Sequence, residues 1–393
     1  MTVPTAPPPL PPSEAPFTLS HTAEVPDLLA QLRCSLALTT YQAGKVLVLS
    51  PTGEKLIQLA RTFQQPMGLA VAGFGPSLRL AVATKDAVEE FINAPGLAAG
   101  YPRQPDTYDA LLLSRRTHHT GPLDLHDLVF DGRPGVLAVN TRFSCLARVG
   151  VGVHSFEPVW TPPFISALDP SDRCHLNGLA VDADRQPRVV SALGATDTPR
   201  GWADGRLTGG ILIDVDTGET LVSGLAMPHS PRLVSGTDGG DGLWVLNSAE
   251  GTLGRVEVDA GTFEPVCDVG GFGRGLAQRG DYLFVGVSKI RRASTFAGLP
   301  VSERSREAGV CIVHAPTGRL AGRISYRTSV EEVYDVVVLP EVARPGLVAP
   351  WMDVAGRAVT VEGAGWWAHD APPAAPGRPD PARLGAEAGG AGG

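Results

Sequence analysis

Five of the chain's nine histidines, His118, His119, His126, His175 and His229, stand at or just before places where a polar residue leads into a short apolar run. Neutral imidazoles with an amide or carboxylate suit a divalent ion, nitrogen donors favouring Zn, Fe or Ni and oxygen donors Ca, Mg or Mn. His126, Asn177 and His229 are the first choices as metal ligands, with His175 or Glu332 as a fourth. A metal held there polarises a carbonyl or acidifies a water. Glu332 or Asp124 then serves as general base, and Arg142, Arg274 and Lys289 hold an anionic group or oxyanion. Lys289 is also assigned to the catalytic set. Tyr334, Asn247 and Asp197 complete the expected substrate contacts. Taken singly, each His also reads as a strand cap bonded to backbone around a water-filled channel. No HxH or HExxH spacing supports a metal locally, so the inference depends on a fold that gathers these residues.

The apolar runs supply one. Short openings recur about every 45 to 60 residues at Met67, His126, Asn177, His229, Arg274 and Tyr334. A second β-branched run follows each of the first five, among them Leu78–Thr84, Val136–Thr141 and Tyr282–Ser288, and third and fourth runs meet at Gly-containing turns such as Asp216–Gly218. That period matches a four-stranded propeller blade. The last opening lacks following strands, whereas the start of the chain has three runs, Cys34–Thr40, Lys45–Ser50 and Glu54–Ala60, without an opening. The fold expected is all-β: one six-bladed β-propeller over residues 30–345, the C-terminal strand completing the N-terminal blade. An irregular β-sandwich is the competing reading, and it leaves the missing N-terminal strand unexplained. In a propeller the openings and the ends of the second runs share one mouth of the channel. Three long loops, 93–109, 194–210 and 289–308, are further places for function.

Composition agrees. Gly (47) and Pro (35) make up about a fifth of the 393 residues, which disfavours a helical protein. Part of this excess sits in tails, 1–20 and 370–393, expected to be disordered. A net charge of −8 argues against nucleic acid or an anionic membrane as partner. The first twenty residues lack the basic start and apolar core of a secretory signal, and no run of about 18 apolar residues suggests a membrane span, so a cytoplasmic location is expected. The five Cys are scattered singly and read as reduced and mostly buried. No G-x-S-x-G elbow or P-loop occurs, and Gly271–Gly275 reads as a turn between strands, not a dinucleotide fingerprint.

The segments 117–128, 140–147, 162–180, 192–202, 224–232, 288–304 and 330–336 closely resemble a bacterial family of conserved hypothetical proteins classed as a domain of unknown function. That resemblance implies no settled reaction. His119 and Pro122 depart from the family's pattern, which counts against His119 as a ligand. More distantly, the Asn177-Gly178 opening resembles blade starts in gluconolactonase and senescence-marker-type propellers. This similarity implies one divalent metal at the channel mouth and hydrolysis of lactones or esters. The expectation is a metal-dependent hydrolase or lyase acting on a small polar molecule at the mouth. The alternative is a non-catalytic propeller that binds a ligand or a protein partner.

Overall fold

Six antiparallel sheets of four strands follow one another around an axis in the computed structural model, which describes residues 15–152, 154–236, 241–290 and 298–368. Blades 2 to 6 begin with innermost strands Leu69–Ala72, Leu125–Val129, Leu176–Val181, Pro228–Ser235 and Phe272–Arg279, each continuing outward through three strands in chain order. Blade 1 is built from both ends of the chain. Its innermost strand Asp335–Pro340 pairs with Cys34–Thr40, which leads outward to Lys45–Thr52 and Lys55–Thr62. Only two α-helices, Val25–Gln31 and Pro95–Ala98, occur among the described residues.

The continuous apolar runs follow from burial on both sheet faces, because successive side chains of a strand enter different seams between blades. Leu36 and Leu38 pack toward blade 6 beside Phe284 and Ile312, whereas Ala37 between them faces blade 2 beside Leu80 and Leu112. Comparable apolar layers fill the other seams.

Near the axis the backbones crowd, and two glycines are required there. A Cβ on Gly178 would lie 2.6 Å from Pro231 Cδ, and one on Gly275, whose φ is +75°, would lie 2.4 Å from the Val336 nitrogen. Hydroxyls then fasten blade to blade. Thr39 donates to the Met67 carbonyl (2.6 Å), Thr141 to Leu176 (2.6 Å), Ser248 to Gly273 (2.7 Å) and Ser288 to Val333 (3.0 Å).

Deeper in the channel three charges from alternate blades meet. Asp127 accepts from Arg232 (2.8 and 3.2 Å) and from the Leu179 N–H of blade 4 (3.0 Å). Asp335 accepts from the Leu69 N–H of blade 2 (2.8 Å). Arg232 also donates to the carbonyls of Leu179 (2.8 Å) and Leu276 (3.1 Å). Burial, with the charge of Asp127 beside it, raises the Asp335 pKa to about 7, against the opposing pull of Arg232.

The described structure runs past residue 345. Pro345–Val348 adds a parallel fifth strand to blade 2, and the hairpin Ala358–Val361/Ala364–Trp367 follows it, Trp367 donating to the Leu97 carbonyl (3.2 Å). Leu19–His21, which begins inside the segment expected to be unstructured, forms a fifth strand on blade 6. Residues 1–14 and 370–393 of the two expected tails lie outside the described residues. Loop 93–109 joins a third strand to a fourth and so lies at the end of the ring away from the openings. Loops 194–210 and 289–308 join second strands to third and rim the mouth, with residues 291–297 outside the described set.

Candidate site at the channel mouth

Five of the residues singled out by sequence, His126, Asn177, His229, Arg274 and Tyr334, line one small cavity on the axis. Asp127, Ser230 and Asp335 line it as well. The inner strands place them there: His126, Asn177, His229 and Arg274 each lie within the first three residues of such a strand, and Tyr334 immediately precedes one.

Each of three imidazoles is held by its Nδ1. That nitrogen of His126 donates to the Asp124 carbonyl (2.9 Å), of His229 to the Met227 carbonyl (2.8 Å), and of His175 to Asp172 Oδ2 (2.8 Å). For His126 and His229 the Nε2 atom is therefore the acceptor. Burial, then the nearby charges of His175 and Arg274, hold the His126 pKa well below the usual imidazole value; burial and Arg274 do the same for His229. Both rings are neutral at pH 7.

The rings form a row. Tyr41 stacks on Tyr334 at 6.0 Å between centroids, His126 stands edge-on to Tyr334 at 5.5 Å and to His175 at 5.0 Å, and Trp202 lies 4.3 Å beyond His175. The Trp202 indole also donates to Asp172 Oδ2 (3.2 Å), fixing the carboxylate that fixes His175. Asp172 and His175 both occupy the left-handed backbone region, at φ +50° and +51°. The Arg274 guanidinium lies 4.8 Å over the Tyr334 ring and donates to Glu332 Oε1 (2.9 Å). Burial pushes the Tyr334 phenol well above its ordinary pKa, and its hydroxyl has no hydrogen-bond partner among the described residues.

A divalent ion does not fit this donor set. Arg274 Nε donates to His229 Nε2 at 3.2 Å, so both nitrogens of His229 are occupied, and the guanidinium stands where a cation would need to approach. Asn177 is buried and donates its amide to the Pro228 carbonyl (3.3 Å). Among the described residues no group of three His, Cys, Asp or Glu is arranged to hold a metal.

The remaining assignments divide. Glu332 is tied to Arg274, and Asp124 accepts two bonds from Arg142 (3.1 and 2.8 Å), so neither expected base stands unpaired. Lys289 is exposed on the rim, its backbone N–H bonded to the Glu331 carbonyl (2.8 Å). Asn247 accepts the Ala226 N–H (2.7 Å) and holds a turn. Asp197 accepts from the Ser166 N–H and from Arg173 (both 3.0 Å), ordering its loop instead of lining the cavity. His118 bonds Glu90 (2.7 Å) on the outer strands of blade 2.

Sequence reasoning passed over Asp172 and the part Trp202 plays. Both were in view, one three residues before His175 and the other within the loop 194–210, but only the fold shows them converging on one ring. The Cys174 side chain is fully buried and burial pushes its thiol up to about 12, which leaves it no nucleophilic role.

A family model described as "Domain of unknown function (DUF4915)" matches residues 23–348. No curated protein matches the sequence. Among solved structures, a chain of a nidogen/laminin complex aligns with a TM-score of 0.50 at 10% identity, over 78% of this chain and 99% of that one. A functionally unknown protein from Desulfotomaculum acetoxidans DSM 771 aligns over the same shares at 11% identity and a TM-score of 0.42. At such identities the first likeness shows the propeller fold alone, and the second adds nothing to it.

Proposed function

The chain belongs to the DUF4915 family, whose model spans most of it, and from that premise we propose that the channel mouth binds a small polar molecule without a metal ion. The observation that carries this reading is the pair His126 and His175. Their rings are 5.0 Å apart, each Nδ1 is spent on an anchoring bond, and neither Nε2 has a described protein partner. Polar atoms held in place and left for something else to satisfy are the usual content of a ligand site. Arg274, Glu332 and Tyr334 form its wall, in keeping with the substrate-contact role expected of Arg274 and Tyr334.

Acid–base catalysis is a second reading, favoured by the Asp172–His175 pair alone. A carboxylate that orients an imidazole through Nδ1 makes Nε2 a directed proton acceptor. On this reading His175 takes the place of Glu332 or Asp124 as base.

Native mass spectrometry of the purified full chain tests the proposal. The wild type carries a small-molecule adduct, the His126→Ala/His175→Ala variant lacks it, and a chelator changes neither spectrum. An adduct of metal mass that the variant loses, or a molecule retained by the variant, contradicts the reading.

A further inference from the structure

We infer that the cavity on the axis is a site for one buried water molecule, bound by Tyr334 and Asp335 of blade 1 and Ser230 of blade 5, which forms the floor of the mouth. The site stands whether or not a ligand binds above it.

Size and polarity select the occupant. The space open to the centre of a water-sized sphere is about 10 Å³, enough for one water and for nothing larger. All eight residues that line it carry polar or charged groups. Cavities that stay dry have apolar walls.

Three of these groups have hydrogen bonds left to make. The Tyr334 hydroxyl, on a side chain only 7% exposed, has no partner among the described residues, and a buried hydroxyl left so is costly. Ser230 Oγ accepts the Gly275 N–H (3.0 Å), which leaves its own proton to give. Asp335 takes one backbone N–H on each oxygen, from Leu69 and Val336 (both 2.8 Å), and keeps a lone pair on each. Asp127, in contrast, has two bonds on each oxygen and needs no further partner. A water among the three accepts from the two hydroxyls and donates to Asp335, and three bonds are usual for a buried water.

Charge excludes an ion. Arg274 lines the cavity against a cation, and Asp127 and Asp335 line it against an anion. Burial holds the Asp335 pKa at about 7, so this carboxyl gains and loses its proton near neutrality. Water serves both forms, because it donates to the carboxylate and accepts from the acid. The filled cavity then caps the layer of Asp127, Arg232 and Asp335 and closes the channel below the mouth.

A high-resolution crystal structure of the full chain, with further crystals soaked in rubidium and in bromide, tests the inference. One density peak is expected within hydrogen-bond distance, about 2.5–3.0 Å, of Tyr334 Oη, Ser230 Oγ and Asp335, with no anomalous signal there from either soak. An anomalous peak in the cavity overturns water in favour of an ion. A cavity without density overturns the site, and density that runs on into the mouth assigns the cavity to a larger ligand. Tyr334→Phe asks the same question in solution. Loss of a hydroxyl that holds water should lower the melting temperature, by about 2 °C for one bond. An unchanged or higher melting temperature marks a hydroxyl that had no partner and overturns the inference.

Discussion

Asp127→Ala is expected to lower unfolding free energy by about 3 kcal/mol or more, the lower part of the range for breaking a buried ion pair from one side. Asp127 is almost completely enclosed, and its two oxygens take both ends of the Arg232 guanidinium and a backbone N–H from the next blade. Removing it strands a cation in the channel and an unpaired amide on the inner strand of blade 4. Arg232 retains the Leu179 and Leu276 carbonyls and the charge of Asp335 nearby, which keeps the loss below the upper end of that range. Chemical denaturation measures it directly. The exposed pair Arg327–Glu307 is the control, since Glu307→Ala should leave the midpoint nearly unchanged. Equal effects at the two positions would mean that the central charges do not hold the blades together.

A chain ending at Glu332 should fail to fold. It loses Asp335–Pro340, the innermost strand of blade 1, and with it the buried side chains of Val336, Val338 and Leu339. At about 2 kcal/mol each, these alone amount to about 6 kcal/mol, inside the 5–15 kcal/mol by which a domain is usually stable. The Leu69 N–H loses its acceptor Asp335, and two blades lose their inner neighbour. Circular dichroism on heating should show no cooperative transition. A sharp melt near that of the full chain would show that blade 1 does not need this strand. In contrast, a chain ending at Pro350 keeps the strand, losing the hairpin and the segment that leads to it from blade 2, and should remain folded.

How far the fold could be read depended on repetition. The openings at Met67, His126, Asn177, His229, Arg274 and Tyr334 mark six inner strands because each is a polar or glycine-flanked start to an apolar run, and six such starts outweigh the ambiguity of any one. Single features were not legible in this way. Pro345–Val348 is four residues long and pairs in parallel with a strand more than two hundred residues earlier, so no local pattern announces it. The polar ends of the second strands carry bonds that sequence does not announce. Thr141 and Ser248 fasten blades because inner-strand carbonyls near the axis need donors, and Asn247 caps a turn by accepting the Ala226 N–H.

The site was legible as a set of residues and not as a set of bonds. His126, His229, Asn177 and Arg274 do share a cavity, yet sequence could not show that Arg274 would occupy the His229 nitrogen a metal needs. It also could not show that Asp172 and Trp202, from the two loops preceding and following one strand pair, would fix His175. Hydrogen-bond direction decides between metal ligand and ligand acceptor, and direction is a property of the assembled ring.

Whether the mouth holds a metal is decided at three imidazoles. Long-range proton–nitrogen NMR of the full chain, labelled at histidine and recorded at pH 7 with and without Zn²⁺, reads it most directly. We expect His126 and His229 to carry their proton on Nδ1 alone, and the resonances of His126, His175 and His229 to stay in place when Zn²⁺ is added. A proton on Nε2 of His126, or a joint shift of all three rings with Zn²⁺, would contradict a metal-free site at the mouth.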